Sequence, residues 1–338
     1  MISMFKPKRV IFEEKALDYK MGEDLFYKFK DEDVEILYSK SGRITGIPGK
    51  DSSQMYGEGK NTLVVGIRKS LKFESCKPSA HYQLPIVSGC TGMCEYCYLN
   101  TQMGKKPYIK IHVNIDDILN RAEEYIEERK PEVTIFEGSA TSDPIPVEKY
   151  SGALKKSIEF FGENDYALFR FVTKYTDVED LLNLKHNGKT IIRFSLNSET
   201  IINRYEHKTP SLEERLLAAK KIGESGYLLG FIIAPVFLYE DWKKDYLELI
   251  NKIYYNFRDL ELKFEVISHR FTKRAKENIL TIYPNTALPM EEDLRKFKFG
   301  QFGYGKYIYK DEDLRDMKEF FKNNLTDLFG EHSINYII

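Results

Sequence analysis

Three closely spaced cysteines constrain this chain more than any other feature of its sequence. Cys90, Cys94 and Cys97 form a C-x3-C-x2-C triplet directly after an apolar run, residues 84–87. A loop that leaves a strand can turn three such thiolates towards one metal centre. A structural zinc site is normally closed by four ligands, and an ordinary iron–sulfur cluster takes a cysteine on each of its irons. The triplet therefore predicts a four-iron cluster with one iron left open for a substrate or cofactor.

A zinc site is the alternative interpretation of the triplet. It needs a fourth ligand, and His81 or His112 could supply an imidazole. Three cysteines and one histidine are a known ligand set of structural zinc. A chain of that kind would be a non-catalytic nucleic-acid-binding module. Its metal would be colourless, whereas an iron–sulfur protein is brown.

The composition excludes several classes of protein. Hydrophobic residues make up 42% of the 338 positions, which is ample for a buried core. The 51 basic and 52 acidic side chains give a net charge of -1, so any nucleic-acid-binding surface must be local. No run approaches the roughly 18 apolar residues of a membrane span, and the N-terminus lacks the apolar core of a signal peptide. Four cysteines, three of them bunched, suit a reducing compartment, and we expect a cytoplasmic protein.

From residue 82 onwards, short apolar runs alternate with helical periodicity. The apolar runs are residues 84–87, 133–136, 167–173, 191–196, 228–234 and 264–267. Strands that alternate with helices are typical of a parallel sheet. We therefore expect an α/β fold, a partial (β/α)6 barrel of the TIM type, over residues 81–290. Ligands of such folds bind at the carboxyl ends of the strands, where Cys90 would lie.

Two further sections flank the predicted barrel. Residues 1–80 form a small α+β section that ends in a polar connection carrying Cys76. Its predicted elements are strands at 9–12, 34–38 and 61–67, a helix at 22–29 and a Gly/Ser/Pro-rich loop at 39–59. Residues 291–338 are expected to contact DNA. Their predicted elements are a β-hairpin at 294–299 and 304–309 with a glycine-bounded turn, a helix from about 313 to 329 and a short strand near 334.

The hairpin alternates basic and aromatic residues. On one side the pattern places Lys296, Lys298, Lys306 and Lys310. On the other side it places Arg295, Phe297, Phe299, Tyr307 and Tyr309. Lysines bind phosphates, and aromatic rings stack on bases or wedge between them. The alternative is a hairpin that packs over the barrel and keeps its lysines in water.

The triplet, with Tyr96 between its last two cysteines and Tyr98 after the third, resembles the radical S-adenosylmethionine superfamily. The likeness is specific to the spore photoproduct lyase family over several segments, namely 90–101, 106–109, 141–143, 171–175, 186–189, 193–198, 269–273 and 305–309. It implies a carbon–carbon lyase with a 4Fe–4S cluster, held by the triplet, and S-adenosylmethionine. That enzyme would split 5-thyminyl-5,6-dihydrothymine in the DNA of germinating spores. A radical enzyme with another small-molecule or RNA substrate is the alternative.

The resemblance also implies partners and roles for residues at strand ends. The partners would be lesion DNA and an electron donor such as a flavodoxin or ferredoxin, and nothing demands more than a monomer. Ser142, Lys174 and Ser195 would bind the methionyl carboxylate through charge-assisted contacts. Ala234 would present main-chain polar groups to the adenine. Without the resemblance, local roles are favoured: Ser142 and Asp143 would be helix caps before Pro144, and Lys174 a solvated surface lysine.

The chain departs from the resembled family at Ala140. The family usually has a cysteine there, two residues before the serine that corresponds to Ser142, and a thiol is needed to quench the product radical. Either Ala140 disables the donor, or another cysteine serves. Cys76 is the only cysteine outside the triplet, so we expect Cys76 to be the donor rather than an inert connection residue. Tyr96 and Tyr98 are the expected relay residues, with Tyr98 the stronger candidate.

Overall fold

The computed structural model describes residues 5–40, 42–99, 103–299, 303 and 305–338. Its strands are β1 (Arg9–Glu13), β2 (Glu35–Ser39), β3 (Thr62–Gly66), β4 (Ser75–Cys76), β5 (Ala80–Gln83), β6 (Val87–Ser88), β7 (Met93–Cys94), β8 (Ile109–His112), β9 (Thr134–Glu137), β10 (Ala167–Thr173), β11 (Thr190–Leu196), β12 (Glu206–His207), β13 (Leu228–Val236), β14 (Leu262–Ser268), β15 (Lys296–Phe299), β16 (Gly305–Ile308) and β17 (Ile334–Ile337). Its helices are α1 (Lys20–Lys30), α2 (Ser52–Lys60), α3 (Ile115–Arg129), α4 (Ile145–Ser151), α5 (Ala153–Gly162), α6 (Glu199–Tyr205), α7 (Leu212–Glu224), α8 (Trp242–Phe257), α9 (Lys273–Ile282) and α10 (Asp311–Phe329).

A curled sheet forms the centre of the molecule. Its order over the described residues is β17-β14-β13-β11-β10-β9-β5-β4. The neighbours from β5 to β17 pair in parallel, and only the edge strand β4 is antiparallel to its neighbour. The six parallel strands β5, β9, β10, β11, β13 and β14 confirm the predicted partial (β/α)6 barrel. The added strand β17 is the one predicted near residue 334.

A second sheet packs beside the barrel, in the order β2-β1-β3-β8-β6. It takes β6 and β8 from beyond residue 80, while β4, which precedes residue 80, belongs to the barrel. The two sheets therefore do not divide at residue 80. The first barrel strand is β5, which ends at Gln83, and the predicted strand at residues 84–87 is wrong. Residues 84–87 are apolar because they fill the core. Leu84, Ile86 and Val87 are buried in the core, and Pro85 has no N–H to donate to a ladder.

Helix α2 lies in the segment predicted as a loop at 39–59. The side chain of Asp51 caps it by accepting a hydrogen bond from Gln54 N at 2.8 Å. The sequence concealed this helix because Gly57 and Gly59 are poor helix formers. Close packing explains Gly59, since a Cβ there would lie 2.8 Å from the backbone of Lys106. Helix α2 thus packs directly on the chain that follows the cysteine triplet.

The barrel interior contains a charged layer made of Glu137, Arg170, Arg193 and Glu265, all of them buried. Glu265 accepts hydrogen bonds from Arg170 and, at 3.0 Å, from Arg193. It also accepts one from the Tyr336 hydroxyl at 2.8 Å. Glu137 accepts a second hydrogen bond from Arg193. The charged layer closes the barrel beneath the carboxyl ends of its strands.

The predicted hairpin is present as β15 and β16, and two of its residues differ from expectation. Arg295 precedes β15 and is buried, with its guanidinium 3.6 Å from the centre of the Tyr309 ring. Tyr309 is also buried, and its hydroxyl accepts a hydrogen bond from Leu238 N at 3.0 Å. Its ring is therefore not available for stacking on a base. Residues 300–302 and 304 of the predicted turn lie outside the described residues. Among the helices that the structure describes, none is both long and apolar enough to cross a membrane.

Replacing Glu265 by glutamine is expected to lower the free energy of unfolding by about 3–5 kcal/mol, because two buried guanidinium groups lose a carboxylate. Urea unfolding of the apoprotein measures this loss. The matched control is Asp316→Asn, which removes the partner of Lys243 from an exposed ion pair and should leave stability nearly unchanged. A loss below about 1 kcal/mol for Glu265→Gln would contradict a structural role for the charged layer.

Candidate active site at the cysteine loop

The cysteine loop, residues 89–97, begins with a glycine that turns the chain. Gly89 follows β6 and has a φ of +83°, in the left-handed region that favours glycine. A Cβ at this position would lie 2.4 Å from the carbonyl oxygen of Tyr108. The Gly89 N–H donates to Thr141 O at 3.1 Å, and its carbonyl accepts from Asp143 N at 3.2 Å. The loop therefore starts against the chain that follows β9.

None of the three cysteines of the triplet is in a disulfide, and Cys94 is buried. Burial raises the pKa of Cys90 to about 12, with Asp143 adding to the rise, Lys60 opposing it and Cys97 adding to it. Burial also raises the pKa of Cys94, and among smaller contributions Cys97 and Cys90 act in the same direction. Buried thiols ionise with difficulty, but a coordinated metal removes the thiol proton outright. The donor set therefore fits a thiolate-bound metal centre.

The two histidines considered as zinc ligands have other partners. His81 Nδ1 accepts a hydrogen bond from Ile135 N at 2.9 Å, and His112 Nε2 lies 3.1 Å from Ser88 Oγ. Across the described residues, no three Cys, His, Asp or Glu side chains converge on one ion. A structural zinc site needs a fourth ligand besides the three thiols, whereas three cysteines are the ligand set of a four-iron cluster with one open iron.

A buried ion pair ties the cysteine loop to the barrel. Strand β12 pairs antiparallel with β7 and places Glu206 opposite Cys94. The Glu206 carboxylate accepts a hydrogen bond from Arg215 Nη2 at 2.6 Å, and both side chains are completely buried. Arg215 also donates to the carbonyl oxygen of Ser195 at 3.0 Å. Burial alone would raise the pKa of Glu206, but Arg215 and Lys174 lower it to about 2. Glu206 is therefore a carboxylate at neutral pH.

Lys174 follows β10 directly and is not a solvated lysine. Its side chain is 17% exposed, and Nζ donates to Glu206 Oε1 at 2.7 Å and to Tyr96 Oη at 3.0 Å. Its backbone N–H donates to Asp143 Oδ2 at 2.9 Å. An ammonium has three N–H donors, so the third can take a ligand carboxylate. Lys174 is thus a fixed, largely buried cation beside Tyr96 of the cysteine loop.

Tyr96 and Tyr98 lie in different surroundings, which the sequence did not distinguish. Tyr96 turns its hydroxyl inward and donates to Glu206. Burial and the Glu206 charge raise the pKa of Tyr96 well above its ordinary value. Tyr98 is 56% exposed and donates to the carbonyl oxygen of Ala140 at 3.0 Å. Only Tyr98 therefore lies at the position where the family usually has its cysteine.

Ser142 has a buried hydroxyl that finds no hydrogen-bond partner in the described part of the chain. A parallel bridge joins Ser142 to Gly89, next to Cys90. It is not a helix cap, because Asp143 Oδ1 is the side-chain atom that accepts from Ile145 N, at 3.3 Å. A buried hydroxyl without a partner costs about 1–3 kcal/mol. A polar ligand at this position would remove that cost.

A cavity of about 200 Å³ opens beside the cysteine loop. Its lining includes Arg68, Gln83, Ser88, Ala140 and Ser142. Ala140 and Ser142, for which the sequence suggested different roles, both line this cavity. It also adds a basic side chain that the sequence did not mark.

Ser195 and Ala234 occupy the ends of neighbouring strands, as predicted. Ser195 is buried in β11, opposite Ile232 of β13. The register between β13 and β14 shifts between Ile233 and Val236, so Ala234 lies outside the regular ladder. Main-chain groups outside a ladder can bind a ligand, which agrees with the role expected for Ala234.

Cys76 lies on the edge strand β4 rather than on a loop. Burial raises its pKa to about 11, with Glu137 adding to the rise and Arg193 opposing it. The other charges that act on it, Arg170 and Glu265, complete the charged layer. Cys76 therefore faces the barrel interior, and it is a protonated thiol at neutral pH.

Helix α2 brings two further side chains to the cysteine loop. Lys60 is 2% exposed, and Nζ donates to the carbonyl oxygen of Cys90 at 2.8 Å. Tyr56, one turn earlier, is buried, and its hydroxyl has no hydrogen-bond partner within the described residues. The pKa of Tyr56 is raised mainly by burial, and Tyr283, Cys97 and Cys94 add smaller increases. One face of α2 thus lies beside the cysteine loop, and Lys60 contacts it directly at Cys90.

Three residues of this site, Glu206, Arg215 and Lys60, were not expected from the sequence. Two of them have distant partners: Glu206 and Tyr96 are 110 positions apart, and Lys60 and Cys90 are 30 apart. Of the three, only Arg215 could have been recognised from the sequence as a buried charge. It falls on the apolar stripe of α7, with Leu212 and Leu216, where a charge must find a buried partner.

A partial (β/α)6 barrel with a cysteine triplet beside its strand ends defines a radical S-adenosylmethionine enzyme. The spore photoproduct lyase family profile matches residues 5–338. The spore photoproduct lyase of Clostridium acetobutylicum is 62% identical over 338 residues, 100% of each chain. That of Bacillus subtilis is 43% identical over 336 residues, 98% of each chain. The chain therefore belongs to the spore photoproduct lyase family.

Solved structures of spore photoproduct lyase agree with this assignment. A double variant with bound AdoMet and dinucleoside spore photoproduct is 44% identical and has a TM-score of 0.96, covering 99% of this chain and 100% of that chain. A complex with dinucleoside spore photoproduct matches with the same values. The chain is a radical S-adenosylmethionine lyase that repairs spore photoproduct, with a 4Fe–4S cluster and S-adenosylmethionine as cofactors. The zinc-module and other-substrate alternatives are therefore wrong.

Replacing Cys94 by alanine is expected to abolish a stable cluster. The only other cysteine, Cys76, faces the charged layer and cannot substitute. Iron and acid-labile sulfide per chain, measured after anaerobic reconstitution, should fall to a small fraction of the parent's. The matched control is Cys76→Ala, which should retain the full iron content. Full iron in Cys94→Ala would contradict the assignment of the triplet.

Proposed function

We propose that this chain splits 5-thyminyl-5,6-dihydrothymine into two thymines and that the Cys76 thiol completes the repair. When bound, the cluster and S-adenosylmethionine supply the 5′-deoxyadenosyl radical that opens the lesion. Scission of the carbon–carbon bond leaves an unpaired electron on one thymine. The S–H bond of Cys76 then breaks and a C–H bond forms on that thymine. The unpaired electron passes to the Cys76 sulfur.

The state of the Cys76 thiol carries this proposal. Hydrogen-atom donation needs an S–H bond, and a thiol with a pKa of about 11 keeps its proton at neutral pH. Ala140, at the family's usual cysteine position, has only strong C–H bonds and cannot donate a hydrogen atom. Cys76 is the one cysteine outside the triplet, and the interior of the barrel is where an enclosed radical is protected from solvent.

The two tyrosines take different roles in this proposal. Tyr98 returns a hydrogen atom to the Cys76 sulfur: its O–H bond breaks, an S–H bond forms, and the unpaired electron moves to the phenol. The phenol oxygen would then regain a hydrogen atom from 5′-deoxyadenosine, so that the O–H bond re-forms and a C–H bond of 5′-deoxyadenosine breaks. The Tyr98 hydroxyl lies 3.0 Å from the carbonyl oxygen of Ala140, the family's usual donor position, and this placement is why Tyr98 is preferred to Tyr96 for the step. Tyr96 holds its proton against the Glu206 carboxylate, and we assign it the positioning of Lys174 instead.

The cofactor-binding roles expected from the sequence become proposals of the same kind. Ser142 offers a hydroxyl without another partner, and Lys174 a third N–H donor. With the Ser195 hydroxyl they would bind the methionyl carboxylate, which prefers charge-assisted contacts. Ala234 would offer main-chain groups to the adenine.

The hairpin of β15 and β16 is proposed to contact the DNA around the lesion. Lys298 lies directly opposite Lys306, and like charges in such a pair repel unless an anion lies between them. On the other face Phe299 is 74% exposed beside Phe297, whose ring lies 5.1 Å from that of Tyr307. Phosphates fit the first face and unstacked bases the second.

The remaining expectations concern partners and location. We propose a small acidic or iron–sulfur electron carrier, a flavodoxin or a ferredoxin, as the reductant, and a monomer as the working form. Four cysteines, three of them bunched in one motif, support a cytoplasmic location, since a metal-binding triplet suits a reducing compartment.

Replacing Cys76 by alanine tests the hydrogen-donor proposal. The variant should still consume S-adenosylmethionine and break the thymine–thymine bond, because both steps precede donation. Clean dithymine product should fall by at least about tenfold while by-products accumulate, measured by chromatography on a dinucleotide lesion. The double variant Cys76→Ala/Ala140→Cys is expected to recover clean product, because it restores a thiol beside Tyr98. Product from Cys76→Ala as clean as the parent's would overturn the proposal.

Replacing Lys298 and Lys306 by glutamine should weaken binding to lesion duplex DNA. Each lost phosphate contact removes about 0.9 from the slope of log affinity against log salt. Lys296→Gln is the matched control on the same face, since its ammonium is already bound to Asp311 at 2.6 Å. Turnover of the dinucleotide lesion should persist in the double variant. An equal loss of activity on dinucleotide and duplex would mean that the hairpin is purely structural.

A further inference from the structure

Lys60 is a buried cation without an anionic partner. Within the described residues, no carboxylate lies within 4.0 Å of its ammonium, and its hydrogen bond goes to the carbonyl oxygen of Cys90. Glu58, its neighbour on α2, is paired with Arg9 and Lys8 instead. Burial of an uncompensated ammonium is costly. A group of opposite charge is therefore expected beside it in the working enzyme.

The cluster supplies that opposite charge. Three thiolates outweigh the two positive charges of an oxidised four-iron core, so the bound assembly is an anion. One-electron reduction makes it a dianion. The reduction potential of such a cluster is set by its net charge, the hydrogen bonds around it and its exposure to solvent. A fixed cation nearby stabilises the reduced state more than the oxidised state.

We propose that Lys60 raises the reduction potential of the cluster, and that helix α2 serves to hold this positive charge beside the cysteine loop. Lys60 touches neither the substrate nor a reacting atom, so it is a positioning residue for charge. The proposal rests on the cluster assignment and is independent of the role of Cys76.

The ammonium is held in place from several sides. It lies 5.3 Å from the centre of the Tyr56 ring, a cation–π contact that holds the charge without neutralising it. The close contact of Gly59 with the Lys106 backbone fixes the helix behind it. Salt screens buried charges weakly, so the effect of Lys60 persists at physiological ionic strength.

Lys174 provides the contrast. It also acts on Cys94, lowering the pKa of that thiol against the dominant effect of burial. Its charge, however, is compensated by Glu206 at 2.7 Å. Lys60 differs from Lys174 in having no such carboxylate among the described residues, and its full charge therefore acts on the cluster.

The test is a redox titration of the reconstituted holoenzyme, followed by electron paramagnetic resonance and performed without lesion or S-adenosylmethionine. Lys60→Gln keeps a hydrogen-bond donor but removes the charge. The equilibrium constant for reduction should fall at least about tenfold, which is about 59 mV for one electron. Lys60→Met, a second neutral variant of similar length, should show the same fall. Lys60→Arg should remain within about threefold of the parent.

The matched control is Lys8→Gln, which removes an exposed lysine of the same section, 66% exposed. Its reduction constant should change less than about twofold, because water and salt screen that charge. Unfolding of the apoprotein supplies the second readout: Lys60→Gln should be no less stable than the parent, since it removes a buried charge. A neutral variant with full iron and an unchanged potential overturns the proposal. So does a potential that falls equally in Lys8→Gln.

Discussion

The buried ion pair between Glu206 and Arg215 holds the cysteine loop against the barrel. Its carboxylate stands opposite Cys94 on a two-stranded ladder and also accepts from Tyr96 and Lys174. Its guanidinium reaches the backbone of Ser195 at the end of β11. An apolar pair of the same size would fill the space but would orient neither the tyrosine nor the lysine. Loss of one partner would leave a charge in the interior, which proteins tolerate poorly.

Buried charge is used in two different ways in this molecule. The charged layer pairs two guanidinium groups with two carboxylates and fills the barrel beneath the strand ends. Beside the cysteine loop, by contrast, the Ser142 hydroxyl lacks a partner and the Lys60 ammonium lacks a carboxylate among the residues that the structure describes. Unsatisfied groups are expensive in a closed interior. Both groups lie beside the chain that carries the three thiols, and this placement is the basis of the cofactor contacts proposed for them.

The proposed hydrogen donor also depends on the charged layer. Cys76 lies on the edge strand β4, where burial keeps its thiol protonated and the neighbouring guanidinium groups oppose that effect only in part. The Ala140 loop provides Tyr98 with a carbonyl acceptor instead of a thiol neighbour. Cys76 lies on β4 and Ala140 in the turn that follows β9, and these two strands flank β5. The proposed donor and the family's usual cysteine position thus lie on the two sides of one strand.

The sequence by itself determined the elements whose signal is local. The cysteine spacing indicated the cluster, and the alternation of apolar runs and helices predicted the six-stranded barrel. Position at or just after a strand end singled out Ser142, Lys174 and Ser195 as candidate cofactor-binding residues. Tertiary structure alone decided that residues 84–87 pack in the core without extending the barrel, and that Arg295 is buried. It also decided which charges meet: Glu206 with Arg215 and Tyr96, and Lys60 with Cys90. The reason is physical, because periodicity reports which face of an element is buried, whereas the partner of a buried charge is set by how distant segments pack.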